Sequence, residues 1–270
     1  MSTKSYHVPQ GDPCTKCGKS AIRHRVDHGP KGEPCELCGL PADKHRVRIR
    51  KRKTDLERTR YIGIDGEGHG KRFHKYNLLA ASDETGERVW SVEHDNLSTV
   101  QCLDLILSLP SHRCKIFSFA FNYDLTKILT DVSDELLYLL FRPELRQRKG
   151  PNAARGPRPV KWNGYILNLQ GTKFTVRKNR KKIIIWDLIK FYQNKFVNSL
   201  KDWKVGNPEL WERTSAMKDK RSEFSNETKE AVRAYCLEEC TCMAQLARKL
   251  VESHETVGLK LKSFYGAGSS

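Results

Sequence analysis

The sequence predicts an α/β domain built on a mixed β-sheet flanked by helices, preceded by a small N-terminal module. Three observations predict it. Strand-like runs come in two groups, each next to stretches at helical spacing. The last long stretch, from about Asn226 to Ser253, carries apolar residues at three- and four-residue intervals. Near the N-terminus, two cysteine pairs sit in an internal repeat with no strand or helix period of its own.

Taken in order, residues 1–13 are polar and read as disordered. Residues 14–47 contain the repeat, PCTKCGKSAIRHRV and then PCELCGLPADKHRV, offset by 21 positions. A basic run follows, with 48–58 as its linker portion, and the main domain spans 59–258. RYIGIDGEG reads as a strand entering a Gly-rich turn. KYNLLAASD and ERVWSVEH read as a hairpin around Glu84-Thr85-Gly86. Val100, Leu103, Leu105, Ile106 and Leu109 mark a helix over 97–109 that Pro110 stops. CKIFSFAFN reads as a buried strand, and DLTKILTDVSDELLYLLF returns to helix period. KWNGYILNL, KFTVRK and KKIIIWD read as three strands, the last two joined at Lys178-Asn179-Arg180. A polar stretch then leads to the final helix.

The 270 residues carry a net charge of +17, which favours a polyanionic partner through phosphate contacts and counterion release. The polar N-terminus MSTKSYHVPQ does not read as a signal peptide. No apolar run approaches the ~18 residues of a membrane span, so no membrane partner is expected. The nine cysteines do not form a secreted disulfide framework. The expected compartment is a reducing cytoplasm.

Three acidic positions stand out. Asp65 and Glu67 follow the apolar Tyr61-Ile62-Gly63-Ile64, and an i, i+2 pair on a strand points to one face. Two carboxylates side by side repel unless a cation lies between them, and hard divalent ions such as Mg2+ or Mn2+ prefer such oxygens. An ordinary acidic turn is the plainer alternative. Glycines 63, 66, 68 and 70 leave room for backbone or ligand to approach. Asp124 closes Phe117-Ser118-Phe119-Ala120-Phe121-Asn122-Tyr123-Asp124, where it also suits a helix N-cap. Glu239 shares a helical stripe with Val232, Tyr235, Met243, Leu246 and Leu250. A carboxylate buried there must be neutralised, paired or metal-bound. Glu238 projects about 100° away and reads as solvated.

Cys14, Cys17, Cys35 and Cys38 give C-x2-C-x17-C-x2-C, a spacing suited to one tetrahedral structural Zn2+. His24, His28 and His45 are alternative ligands if each repeat holds its own ion.

In this order the acids resemble the three motifs of the DnaQ-like, ribonuclease H-like 3′–5′ exonuclease domain of family B DNA polymerases, especially the phage, plasmid and protein-primed branch. Asp65 and Glu67 match D-x-E, FAFNYD with Asp124 matches the second motif, and Tyr235 with Glu239 matches Y-x3-D. The resemblance covers roughly residues 59–268. It implies proofreading hydrolysis of DNA during replication, with two Mg2+ or Mn2+ ions. Asp65, Glu67 and Glu239 would hold the ion that activates water; Asp65 and Asp124 would hold the one near the leaving 3′ oxygen; Tyr235 would orient the water. Asn122, Tyr123 and Phe121 are the substrate-binding candidates, with Phe119 a further candidate for stacking on bases. The basic Arg177–Lys182 run is a candidate phosphate track.

Two departures stand out: the third motif has Glu in place of the usual Asp, and Asn122 is two residues before Asp124 where many relatives have four. Residues 259–270 resemble the start of a polymerase linker without the palm that follows it. The expected partners are a single-stranded DNA 3′ end or primer–template DNA and a separate polymerase palm subunit, and a phage or plasmid origin is expected. The alternatives are a noncatalytic nucleic-acid-binding zinc protein and a truncated or split DNA-directed DNA polymerase subunit.

Overall fold

A computed structural model of the chain describes residues 59–69, 75–150, 156–219, 227–259, 261 and 263–269. The disordered tail expected at 1–13, the zinc repeat at 14–47 with its Cys and His ligands, and the 48–58 linker lie outside the described residues.

The main domain is α/β with one mixed eight-stranded sheet, as the sequence predicts, and is compatible with a ribonuclease H-like fold. Strands β1 (Arg60–His69), β2 (Lys75–Asp83) and β3 (Val89–Glu93) form an antiparallel meander. Helix α1 (Thr99–Ser108) leads to β4 (Cys114–Ser118), which returns parallel to β1. Its start carries a capping box: the Gln101 N–H donates to Ser98 Oγ at 3.3 Å and the Ser98 N–H to Gln101 Oε1 at 2.9 Å. After α2 (Phe121–Ile128) and α3 (Asp134–Phe141) come β5 (Val160–Trp162), β6 (Tyr165–Gln170), β7 (Lys173–Lys178) and β8 (Lys181–Asp187). These four run antiparallel to one another, and β8 pairs parallel with β4. The strand order is β3-β2-β1-β4-β8-β7-β6-β5. Helices α4 (Ile189–Tyr192), α5 (Phe196–Asp202), α6 (Pro208–Asp219) and the long α7 (Lys229–Thr256) complete the chain. Among the described residues, no helix is long and apolar enough to cross a membrane.

Alternation along the strands gives the sheet two apolar faces. Ile62, Ile64, Ile116, Val176 and Ile185 point to α1, α2 and α3. Tyr61 and Phe117 point the other way, against Met243, Leu246 and Leu250 of α7. Helix α7 lies so close over β1 that a Cβ on Gly63 would stand 2.0 Å from the Cys240 carbonyl oxygen. The missing side chain at Gly63 therefore sets how near the helix comes, and so where its acid ends up.

Four local readings need correction. CKIFSFAFN is not a strand throughout: β4 ends at Ser118, Ala120 turns left-handed at φ 61°, and α2 begins at Phe121. Asp124 therefore sits in the first turn of α2, and the N-cap is Ala120. The run over 124–141 is two helices, α2 ending at Ile128 and α3 starting at Asp134, and between them the Asp131 carboxylate accepts the Thr99 N–H of α1 at 2.7 Å. KWNGYILNL is a hairpin, turning at Asn163 and Gly164, both with positive φ. The polar stretch after β8 contains three helices, held by long-range contacts such as Trp211 Nε1 to the Val205 carbonyl at 2.6 Å.

Candidate metal and nuclease site

Three of the four expected acids converge. One carboxylate oxygen each from Asp65, Glu67 and Glu239 lies within 4.8 Å of the others. Asp65 and Glu67 come from β1 and Glu239 from the α7 stripe, as the i, i+2 and i, i+4 spacings imply. Glu67 and Glu239 are each only 1 % exposed. Asp65 Oδ1 accepts its neighbour Gly66 N–H at 2.9 Å.

Asp124 is not in that cluster but opens onto the same groove as Asp65. The Tyr76 hydroxyl donates to its Oδ1 at 2.5 Å and the Ser118 hydroxyl to its Oδ2 at 3.2 Å. Burial, with Asp124 and Asp65 next, pushes the Tyr76 phenol well above its ordinary range. It therefore stays a donor and holds Asp124 in one orientation. Tyr76 in turn lies flat against β1: a Cβ on Gly66 would stand 2.1 Å from its ring.

The turn before α2 is held by Asp187, the last residue of β8. Its carboxylate accepts from the Ala120 N–H at 2.9 Å, the Phe121 N–H at 2.9 Å and the Ile189 N–H at 3.0 Å. A left-handed alanine costs of order 1 kcal/mol, which these charge-assisted bonds offset. Burial raises the Asp187 pKa, and the three backbone donors oppose that rise.

Lys218 of α6 was not anticipated. Its ammonium lies 2.9 Å from Glu239 Oε1 and over the Phe196 ring at 4.6 Å. Glu238, read as solvated, is half-buried and pairs with Arg213. Tyr235 is buried one turn before Glu239.

A groove of about 1220 Å3 runs from Asp65 and Asp124 past Phe119 and Tyr123 toward Lys190, Lys195 and Lys201. Tyr123 is 49 % exposed at its edge. Asn122 is exposed on the first turn of α2 but does not line the groove. Phe121 is buried in the core against Phe174 and does not line it either. Phe119 takes its place, packed against Tyr192 and Phe196.

The donor set suits a hard divalent ion. All of the groups are carboxylates, two of them almost fully buried, and they are close enough that their charges must be offset. Lys218 supplies one positive charge to three negative ones.

No protein-family model and no curated protein matches the chain. Among solved structures, it is similar to Phi29 DNA polymerase complexed with primer–template DNA and incoming nucleotides, at TM-score 0.41 and 11 % identity over 78 % of this chain. The same polymerase complexed with single-stranded DNA gives 0.38 and 10 % over 76 %. The chain spans about a third of those polymerase chains, 33 % and 32 %. No functional assignment follows from a likeness at this level.

Proposed function

We propose that the chain is a metal-dependent 3′–5′ exonuclease that trims single-stranded DNA ends. The observation that carries this is the convergence of Asp65, Glu67 and Glu239, with Asp65 opening onto a groove lined with lysines. The order of the three motifs along the sequence supports the direction of cleavage and the choice of DNA.

In this reading Asp65, Glu67 and Glu239 would hold one divalent ion, and Asp65 with Asp124 would hold a second. Divalent ions held there would supply Lewis-acid stabilisation of the attacking and leaving oxygens of a phosphodiester. The protein's own groups position the reactants. Tyr76 and Ser118 fix the Asp124 carboxylate. Gly66 N–H fixes Asp65. Tyr235 orients the attacking water. Lys190, Lys195 and Lys201 carry the phosphates of the incoming strand, and Tyr123 stacks on a base. The four N-terminal cysteines would hold a structural Zn2+, whose folding role is separate from hydrolysis. A separate palm subunit remains a proposed partner.

Lys218 favours a second reading, in which its ion pair with Glu239 neutralises the site and the protein binds nucleic acid without cutting it. A 3′-labelled single strand with Mg2+ or Mn2+ separates the two. The wild-type chain shortens it, and Asp65→Ala/Glu67→Ala cuts the rate by about a thousandfold, equivalent to about 4 kcal/mol of transition-state stabilisation. Undiminished digestion by that variant would refute the assignment, and no digestion by the wild type would leave the binding protein.

A further inference from the structure

The face of β5–β8 turned away from α1, α2 and α3 takes no part in the site above. Tyr165, Leu167, Phe174, Val176, Ile183 and Ile185 point into the core. Their alternates Ile166, Asn168, Thr175 and Ile184 are only half-buried. The same outer face carries Lys161 on β5, Lys173 and Arg177 on β7, and Lys182 on β8. Register sets Arg177 directly opposite Lys182.

Every other residue of this face is neutral, and the one acid on the four strands, Asp187, points to the other side. Among the described residues, none of the four cations is in an ion pair. Like charges opposite each other on neighbouring strands destabilise a sheet. A face that places them so, with no acid among the described residues to offset them, is matched to an external polyanion.

The shape narrows the partner. Lys173 to Arg177 spans about 13 Å along β7, and four strands span about 14 Å across. That field matches the about 12 Å width of a B-DNA major groove between its phosphate rims. Holding a single strand by base stacking needs a free aromatic face, and Trp186 does not offer one: Tyr265 meets it edge-on at 5.1 Å and Lys173 lies 5.3 Å from its ring centre. The face also begins where the site does, because Trp186 directly precedes Asp187.

We propose that the open face of β5–β8 binds the phosphate backbone of double-stranded DNA without reading sequence. In the exonuclease reading, on which this role rests, it carries the duplex behind the single strand that enters the groove. Binding itself needs no hydrolysis, so the two claims can fail separately.

The test is fluorescence anisotropy on the full chain without added Mg2+ or Mn2+. The probes are a duplex of about 20 base pairs and a single strand of about six nucleotides. Lys161→Gln/Lys173→Gln/Arg177→Gln/Lys182→Gln should flatten the duplex salt slope by about 0.9 per lost phosphate contact, three to four in all, and leave the short strand unaffected. Arg88→Gln/Arg113→Gln/Lys149→Gln/Arg233→Gln removes the same charge at scattered exposed positions and should change the slope much less. If the fourfold variant melts early, the exposed pair Lys161→Gln/Lys182→Gln should still flatten it by about two. Equal losses in the face variant and the scattered control, equal losses on duplex and single strand, or no duplex binding by the wild type would each overturn the proposal. Asp65→Ala/Glu67→Ala should bind duplex as the wild type does.

Discussion

The two halves of the sheet are built from similar apolar strands and are finished differently. Around β1, β2 and β4, helices cover both faces, and the carboxylates of the site lie in the seam between strand and helix. Across β5–β8, α1, α2 and α3 cover one face, while the other is half-buried and cationic. Carboxylates are brought together only where packing holds them against their own repulsion. Cations meant for an outside polyanion can stay on an open face, where water screens them.

The comparison can be broken first at Glu239. Glu239→Gln keeps the shape and removes one of the clustered charges, so hydrolysis should fall by about a hundredfold or more, a loss of about 2.7 kcal/mol. Without added metal the same variant relieves carboxylate crowding but leaves Lys218 without its Glu239 partner, so it should melt within a few degrees of the wild type. Wild-type stability should rise by about 2.7 kcal/mol with Mg2+ or Mn2+ at a hundredfold over Kd, and the variant's should not. A calorimetric scan with and without metal reads both, and a variant that keeps the metal-induced rise would show that Glu239 is no ligand.

The second break is in packing. Ile185→Ala, on the core face of β8, should cost about 2–5 kcal/mol, whereas Ile184→Ala on the open face should cost less than about 1. Denaturant midpoints that fall equally for both would mean the outer face is as closely packed as the inner one.

A third prediction concerns the hinge between the halves. Asp187→Ala removes the acceptor for the Ala120 and Phe121 N–H groups and should slow hydrolysis by about tenfold through a looser Asp124, an effect of about 1.4 kcal/mol. Adding Ala120→Gly, which favours the left-handed turn, should restore part of that rate. An effect on melting alone, with no rescue, would make Asp187 only structural.

The smallest effect is alkaline. Cys102 in α1 and Cys242 in α7 lie on opposite faces of the sheet, and burial, first among the causes, pushes both thiols up to about 12 from 9.0. A raised folded-state pKa means that the neutral thiol's contribution is fully present below pH 9 and is lost as pH rises through about 12. Unfolding midpoints measured across that window should fall, and a thiol reagent at pH 8 should react with neither group until the chain unfolds. Prompt labelling of either would show an open layer.

Much of this was legible in the residues. The i, i+2 and i, i+4 spacings place the D-x-E acids on one strand face and Glu239 on an apolar helical stripe, and the structure brings both to one place. Asp124 was found, but its surroundings were not: the left-handed Ala120 carries no glycine or asparagine to mark it, and its support comes from Asp187, 67 residues away. Lys218 was invisible for a similar reason. Only Thr214 of α6 is fully buried, so the helix has almost no apolar period, and the lysine gains its meaning from a partner on another helix. Tyr76 sits in a strand whose residues are mostly buried on both faces, so spacing alone does not mark it.

Gly66 and Tyr76 together carry a consequence for descent. The glycine between Asp65 and Glu67 leaves the space in which the phenol lies, and the phenol holds the acid of helix α2. Any lineage that replaced this glycine with a larger residue would need a smaller one ten positions downstream, and Asp124 would then need a new anchor. Three sites on three different elements are thereby obliged to change in concert or not at all.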